Sequence, residues 1–175
     1  MIRFARHADF EAMWSIFHDV VATGDTYVFG ADTQRADALA YWFGPGVTPF
    51  VAELDGRIVG MYKFMANRRD RGAHIANASF MVARWCAGRG VGRRMGLHCL
   101  REAKRAGFRA MQFNFVVSTN LAAVRLWQSL GFAIVGTVPQ AFQHATLGYV
   151  DVHVMHRTLD DVEDGLPEQS SGSGT

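Results

Sequence analysis

Three closely spaced glycines, Gly88, Gly90 and Gly92, lie between an apolar stretch ending near Ala83 and a run in which Val91, Met95, Cys99 and Ala103 recur every fourth residue. The apolar stretch reads as a strand and the recurring residues as the buried stripe of a helix. A glycine-rich corner between them gathers unpaired backbone N–H groups and the positive end of a helix dipole at one point. Such a point can bind phosphate, because glycine lets the backbone approach an anion closely and Arg89, Arg93 and Arg94 add positive charge around it. The loop lacks the Gly-Lys-Ser/Thr ending of a P-loop, and Arg93 stands where the dinucleotide fingerprint needs glycine. A purely structural corner is the other reading of the same residues.

Around this loop the pattern alternates between strand and helix. Met1 to Phe4 reads as a short strand, and Phe10, Met13, Trp14, Phe17, Val20 and Val21 as an amphipathic helix behind an Asp9 cap. An aromatic loop, Asp25 to Phe29, precedes a shorter helix through Ala36, Leu39, Ala40 and Phe43. Thr48 to Leu54 and Arg57 to Asn67 flank the hairpin signal Asp55-Gly56, and a further strand runs from about Ala73 to Ala83. After the glycine loop come a helix stopped by Gly107, a strand at Met111 to Val117, and a helix capped by Asn120 and stopped by Gly131. The last strands are Ala133 to Val138 and Tyr149 to His156, joined by a long loop containing Pro139, Phe142 and His144. The expected fold class is α/β (α+β), a mixed sheet with helices on its faces, in one domain over residues 1–159. From Asp160 the chain turns acidic and then Ser/Gly-rich, which reads as a disordered tail over residues 160–175.

Composition narrows the partners. With 18 basic and 16 acidic residues in 175, the net charge of +2 singles out neither nucleic acid nor a membrane surface. Cys86 and Cys99 have no metal-ligand spacing and the seven His form no HExxH, so neither zinc nor a disulfide is expected. Met1 to Phe10 holds no long apolar run, which argues against a signal peptide and for a cytoplasmic protein.

The glycine loop and the segments C-terminal to it resemble the GNAT superfamily of N-acetyltransferases, whose signature R/Q-x-x-G-x-G/A binds the pyrophosphate of coenzyme A through main-chain amides. Gly90 and Gly92 match the small positions, and Ala87 departs from the Arg/Gln position. A second signature, N-x-x-A-x-x-L-Y-x-x-x-G-F, is similar to Asn120 through Phe132, with Trp127 in place of the tyrosine. The resemblance implies a GNAT-like fold with splayed central strands, acetyl-CoA as co-substrate, a homodimer, and a cofactor site at Val82, Gly88, Arg89, Gly90, Val91, Gly92, Arg93 and Asn120. In the family the tyrosine often protonates the departing thiolate; an indole N–H donates a hydrogen bond but is no acid near neutral pH.

A narrower resemblance covers about Asn77 to Tyr149. Asn-x-x-F-x-V followed by FNxVxxTNxxxxxLWxSLGF resembles the branch containing azetidine-2-carboxylate and proline-analogue N-acetyltransferases. It implies that Asn77 contacts the carboxylate of a small amino or imino acid, with Asn114 and Asn120 matching the remaining asparagines. Tyr27 and Phe29 in the aromatic loop can wall the acceptor pocket or fill the core. The strand from His74 to Val82 carries no carboxylate to serve as base. His74, His144 and Tyr149 are alternative groups for proton transfer, and Tyr149, Asp151 and His153 alternate onto one strand face. The acyltransferase reading competes with an acyl-CoA-binding regulatory module that lost its chemistry, and with nucleic-acid binding through the Arg-rich helix.

Overall fold

The computed structural model describes residues 1–163. Strands β1 (Ile2–Phe4), β2 (Thr48–Leu54), β3 (Arg57–Ala66), β4 (Ile75–Val82), β5 (Ala110–Val117), β6 (Ala133–His144) and β7 (Gly148–Thr158) form one mixed sheet in the order β1-β2-β3-β4-β5-β7-β6. Every neighbouring pair is antiparallel except β4 and β5. Four helices cover the sheet: α1 (Phe10–Val21), α2 (Arg35–Phe43), α3 (Val91–Arg105) and α4 (Leu121–Ser129).

Strand alternation divides the interior into two cores. Met13, Phe17 and Trp42 from α1 and α2 pack with Met61 and Met81 on one face. Met95, Cys99 and Leu100 of α3 and Trp127 of α4 pack with Tyr62, Phe64 and Ala76 on the other. Consecutive residues of β3 and β4 therefore serve opposite faces. Beyond a bulge at Val59 in β3, a residue's parity decides which helices it meets.

The parallel ladder between β4 and β5 holds at Ile75↔Ala110 and Ala76↔Met111 and goes no further. Beyond that point β5 bends, with a register shift against β7 between Phe113 and Val116. The two central strands therefore splay, and the helix-bearing loops close the wedge from either side.

Three local features differ from the sequence expectation. Asp9 makes no side-chain cap for α1; its carboxylate accepts the Arg6 amide (2.7 Å) around a preceding 3₁₀ turn and binds Arg3. The segment containing Pro139, Phe142 and His144 is no loop but the outer half of β6, with a shift in register between Val138 and Phe142 and Gln140 at φ 52°. Pro139 is tolerated because β6 is the sheet's last strand, where a missing N–H costs nothing on the open side. The first residues of the expected tail lie against α3, where the Lys104 ammonium donates to the carbonyls of Asp160 (3.1 Å) and Val162 (2.6 Å). Residues 164–175 of that tail lie outside the described residues.

Candidate active site

The wedge between β4 and β5 contains a cavity of about 330 Å³. Parity gives it two unlike walls. Asn77 and Ser79 point to the α1/α2 side, where Tyr41 of α2 and Tyr27 and Phe29 of the connecting loop complete the lining. Ala78 and Phe80 point to the α3/α4 side, where Asn120, Ala123 and Trp127 face them. The first wall is polar and aromatic, the second largely apolar.

An amide cluster occupies the closed end of the polar wall. Asn114 sits in the bulged part of β5, and its Nδ2 donates to Oδ1 of Asn67 (2.6 Å) at the end of β3. Asn77 Nδ2 approaches the same oxygen at 3.5 Å, and Gln112 donates to Oδ1 of Asn114 at 2.9 Å. One carbonyl oxygen thus orients two amides on strands that have parted. Asn67 is itself anchored by its backbone N–H on the Ile75 carbonyl (2.8 Å).

The aromatic loop is fastened to β4 by a single hydroxyl. Tyr27 donates to the carbonyl of Phe80 (2.7 Å) and accepts the amide of the same residue (3.1 Å). Beside it the Tyr41 hydroxyl pairs with Ser79 Oγ at 2.6 Å, and the Phe29 ring packs edge-on against Tyr41 at 4.9 Å. Burial raises the Tyr27 phenol well above its ordinary value and raises Tyr41 also. Among the described residues these tyrosines are the only titratable side chains in the lining, so the cavity offers no base near neutral pH.

The glycine loop joins the end of β4 to the start of α3. Gly90 is the N-cap of the fifteen-residue α3 at φ 75°, a left-handed conformation that a side chain would strain, and no atom lies within 4 Å of where its Cβ would be. A Cβ on Gly92 would come 3.3 Å from Leu126 and 4.0 Å from Val82, so the first turn of α3 is wedged between the end of β4 and α4. Arg93 donates to Ser129 Oγ at 3.1 Å, drawing its charge toward α4. Asn120 caps α4, its Oδ1 accepting the Ala123 amide at 3.1 Å, which leaves its amide nitrogen as the donor for a ligand. A helix start rich in N–H groups beside exposed arginines, directly after the strand that carries one side of the cleft, suits a long phosphorylated thioester.

The sequence-derived residues separate by position. Asn77, Asn114, Asn120, Tyr27 and Phe29 line one cavity, whereas Val82, Gly88, Arg89, Gly90, Val91, Gly92 and Arg93 lie outside its lining, at the end of β4 and the start of α3, where Arg89 and Val91 line a second, smaller cavity with Met1, Leu54 and Arg94. The proton-transfer candidates lie elsewhere. His74 is exposed before β4, Tyr149 is 67% exposed near the β6–β7 turn, and His144 Nδ1 accepts the amides of Thr146 and Leu147 in that turn. Sequence reasoning missed Asn67, Tyr41 and Ser79. Ser79 carried a usable signal, since it shares a strand face with Asn77; Asn67 and Tyr41 reach the site only through tertiary packing.

The acetyltransferase (GNAT) family model matches residues 9–132. The chain is 32% identical to the N-acetyltransferase aca1 of Schizosaccharomyces pombe over 83% of its own length and 78% of that protein's. It is likewise 32% identical to the L-amino acid N-acyltransferase MnaT of Escherichia coli, covering 79% and 83%. A GCN5-related N-acetyltransferase from Kribbella flavida superposes with a TM-score of 0.85 at 46% identity, over 90% of this chain and 96% of that one. An acetyltransferase from Salmonella typhimurium, solved with its cofactor acetyl-CoA, superposes with a TM-score of 0.80 at 28% identity, over 97% and 98%.

Proposed function

Because the chain belongs to the acetyltransferase (GNAT) family and is an acetyl-CoA-dependent N-acetyltransferase, we propose that its acceptor is the amine of a small amino or imino acid, held by its carboxylate at Asn77 and Asn114. The observation that carries this is the Asn67-centred amide cluster at the closed end of the cavity. Neutral amide donors bind a carboxylate without fixing it as a charged side chain would, and each amide nitrogen carries two N–H groups, of which the cluster itself uses one. The names of the relatives point the same way: beside the L-amino acid N-acyltransferase stand a phosphinothricin N-acetyltransferase from Alcaligenes faecalis and an L-methionine sulfoximine/L-methionine sulfone acetyltransferase from Salmonella typhimurium.

Acetyl-CoA brings an activated acyl thioester; the protein's part is to hold, align and exclude water. The amides from Gly88 to Gly92 and Arg89 and Arg93 take the pyrophosphate, Asn120 the pantetheine arm, and the end of β4 at Val82 the thioester carbonyl. The acceptor enters against the polar wall, between Tyr27, Phe29 and Asn77. Its nitrogen lone pair forms the new N–C bond as the C–S bond breaks, and the amine proton passes to water or to the departing sulfur. With no base in the lining, the amine must react as its free base. At the pKa of an alkyl amine that selection costs roughly 4 to 5 kcal/mol at pH 7, which desolvation between the aromatic walls offsets.

Release of coenzyme A with azetidine-2-carboxylate, L-methionine sulfone and the carboxamide of each tests the proposal. A preference for the carboxylates of at least tenfold in kcat/KM is expected, and equal turnover of acids and amides would refute it. We also propose that two copies pair through the outer strands, where Ile134, Val135 and Val138 of β6 are exposed. Sedimentation of the purified protein should then give twice the chain mass.

A further inference from the structure

Among the described residues, Lys63 is the one charged side chain that is buried, at 5% exposure. It lies in the middle of β3, directly across the antiparallel ladder from Ser79. Its Nζ donates to the Tyr41 carbonyl at 2.6 Å and sits 3.3 Å from the centroid of the Tyr41 ring. The other face of this small assembly belongs to the cavity, since Tyr41 and Ser79 line it and are bonded to each other. No carboxylate lies within ion-pair distance of the ammonium among the described residues. A buried charge without a counter-ion is costly, and an apolar side chain of similar length would fill the space more cheaply.

We propose that Lys63 is a specificity-determining residue, whose uncompensated positive charge behind the Tyr41–Ser79 wall selects acceptors that bring an anionic group and disfavours those that bring only a cation. This deepens the acceptor reading above and rests on it. The ammonium does not touch the acceptor; its field acts through one aromatic ring, in a place where water cannot screen it. The same field opposes an ammonium in the cavity, so it favours an amino acid as free amine with carboxylate intact over its zwitterion. Burial lowers the Lys63 pKa to about 8, which still leaves it about nine-tenths protonated at pH 7. The local alternative is that Lys63 only caps the end of α2 through the Tyr41 carbonyl, a role that needs a donor but no charge.

Two variants separate charge from donor. Lys63→Gln keeps an N–H donor and loses the charge; Lys63→Met loses both. Initial rates are measured with azetidine-2-carboxylate, L-methionine sulfone and the carboxamide of each, alongside the KM for acetyl-CoA and the Tm. We expect both variants to lose about 10-fold or more in kcat/KM for the acids and less than about 3-fold for the carboxamides, with the acetyl-CoA KM unchanged. A wild-type preference for acids that survives in both variants, or that Lys63→Gln alone retains, overturns the charge role while leaving the acceptor reading intact. Equal losses on acids and carboxamides overturn it too. A wild-type enzyme that does not distinguish acid from carboxamide removes the acceptor reading first, and this inference with it.

Discussion

The hydroxyl of Tyr27 occupies both the amide and the carbonyl of Phe80, two groups on the edge of β4 that a neighbouring strand would otherwise satisfy. Where β5 swings away, a side chain from a loop replaces the missing ladder. Tyr27→Phe keeps the ring and strands both backbone groups, so it should cost about 1 to 2 kcal/mol and lower Tm by roughly 3 to 6 °C. Hydrogen exchange at the Phe80 amide should quicken in the same variant. Unchanged exchange would show that water or a rearranged loop already serves that edge.

Gly90 tests the cofactor loop. Gly90→Ala places a methyl in open space but in a left-handed conformation, and should cost stability of about 1 to 2 kcal/mol with modest change in acetyl-CoA affinity. Gly90→Asp adds negative charge where backbone N–H groups gather, and calorimetry should show the dissociation constant rising about 10-fold or more. Equal affinities for the two variants would mean that charge at this corner is irrelevant to the cofactor.

The amide cluster should behave as a unit. Asn77→Ala should lower kcat/KM for a carboxylate-bearing amine by about 10- to 150-fold and leave acetyl-CoA binding nearly intact. Asn67→Ala removes the oxygen that orients Asn114 and Asn77, so its effect should overlap with that of Asn77→Ala. The double variant should then fall short of the product of the single losses, by a coupling of about 0.5 kcal/mol or more. Asn67→Asp retains the acceptor oxygen but sets a negative charge beside the carboxylate site, so it should not restore kcat/KM for the acids. Strict additivity would dissolve the network.

Lys63 also makes stability depend on pH in a defined direction. Its folded pKa of about 8 lies below the usual lysine value of 10.5, so between these two the unfolded chain binds more protons than the folded one. The stabilising change is absent below pH 8 and builds as pH rises toward 10.5. Denaturant unfolding of wild type and Lys63→Met across pH 7 to 10.5 should show the difference between them shifting in favour of wild type as pH rises. A constant difference would mean that the ammonium is better solvated than its burial implies.

Much of the architecture is written in local pattern. The Asp55-Gly56 turn, the four-residue stripe of α3 and the Asn120 cap each appear where short-range chemistry places them. The outer half of β6 was hidden because Pro139 forbids a central strand, and only the strand's edge position makes it acceptable. The splay was legible only through the family resemblance: β4 and β5 have ordinary strand composition, and nothing local says that their ladder stops at Ala76↔Met111. Asn77 and Asn114 stood out as polar residues in apolar strands. Lys63 offered the same signal, a lone charge inside β3, and its meaning depended on Tyr41, which sequence places on a different element.

Gly96 of α3 shows how the dimensions of the cavity are controlled from outside it. A Cβ there would stand 2.6 Å from Leu130 and 3.2 Å from the Trp127 ring, so α3 and α4 approach as closely as they do only because that side chain is missing. Trp127 packs on Phe80 and Phe113 and forms part of the cavity wall. The gap between two helices is therefore a gauge for the cleft: one methyl on α3 would displace Leu130 and press on the indole that walls the cavity, without altering any residue that meets the substrates. A change at this helix crossing thus alters the space for the acceptor while the polar recognition groups stay as they are.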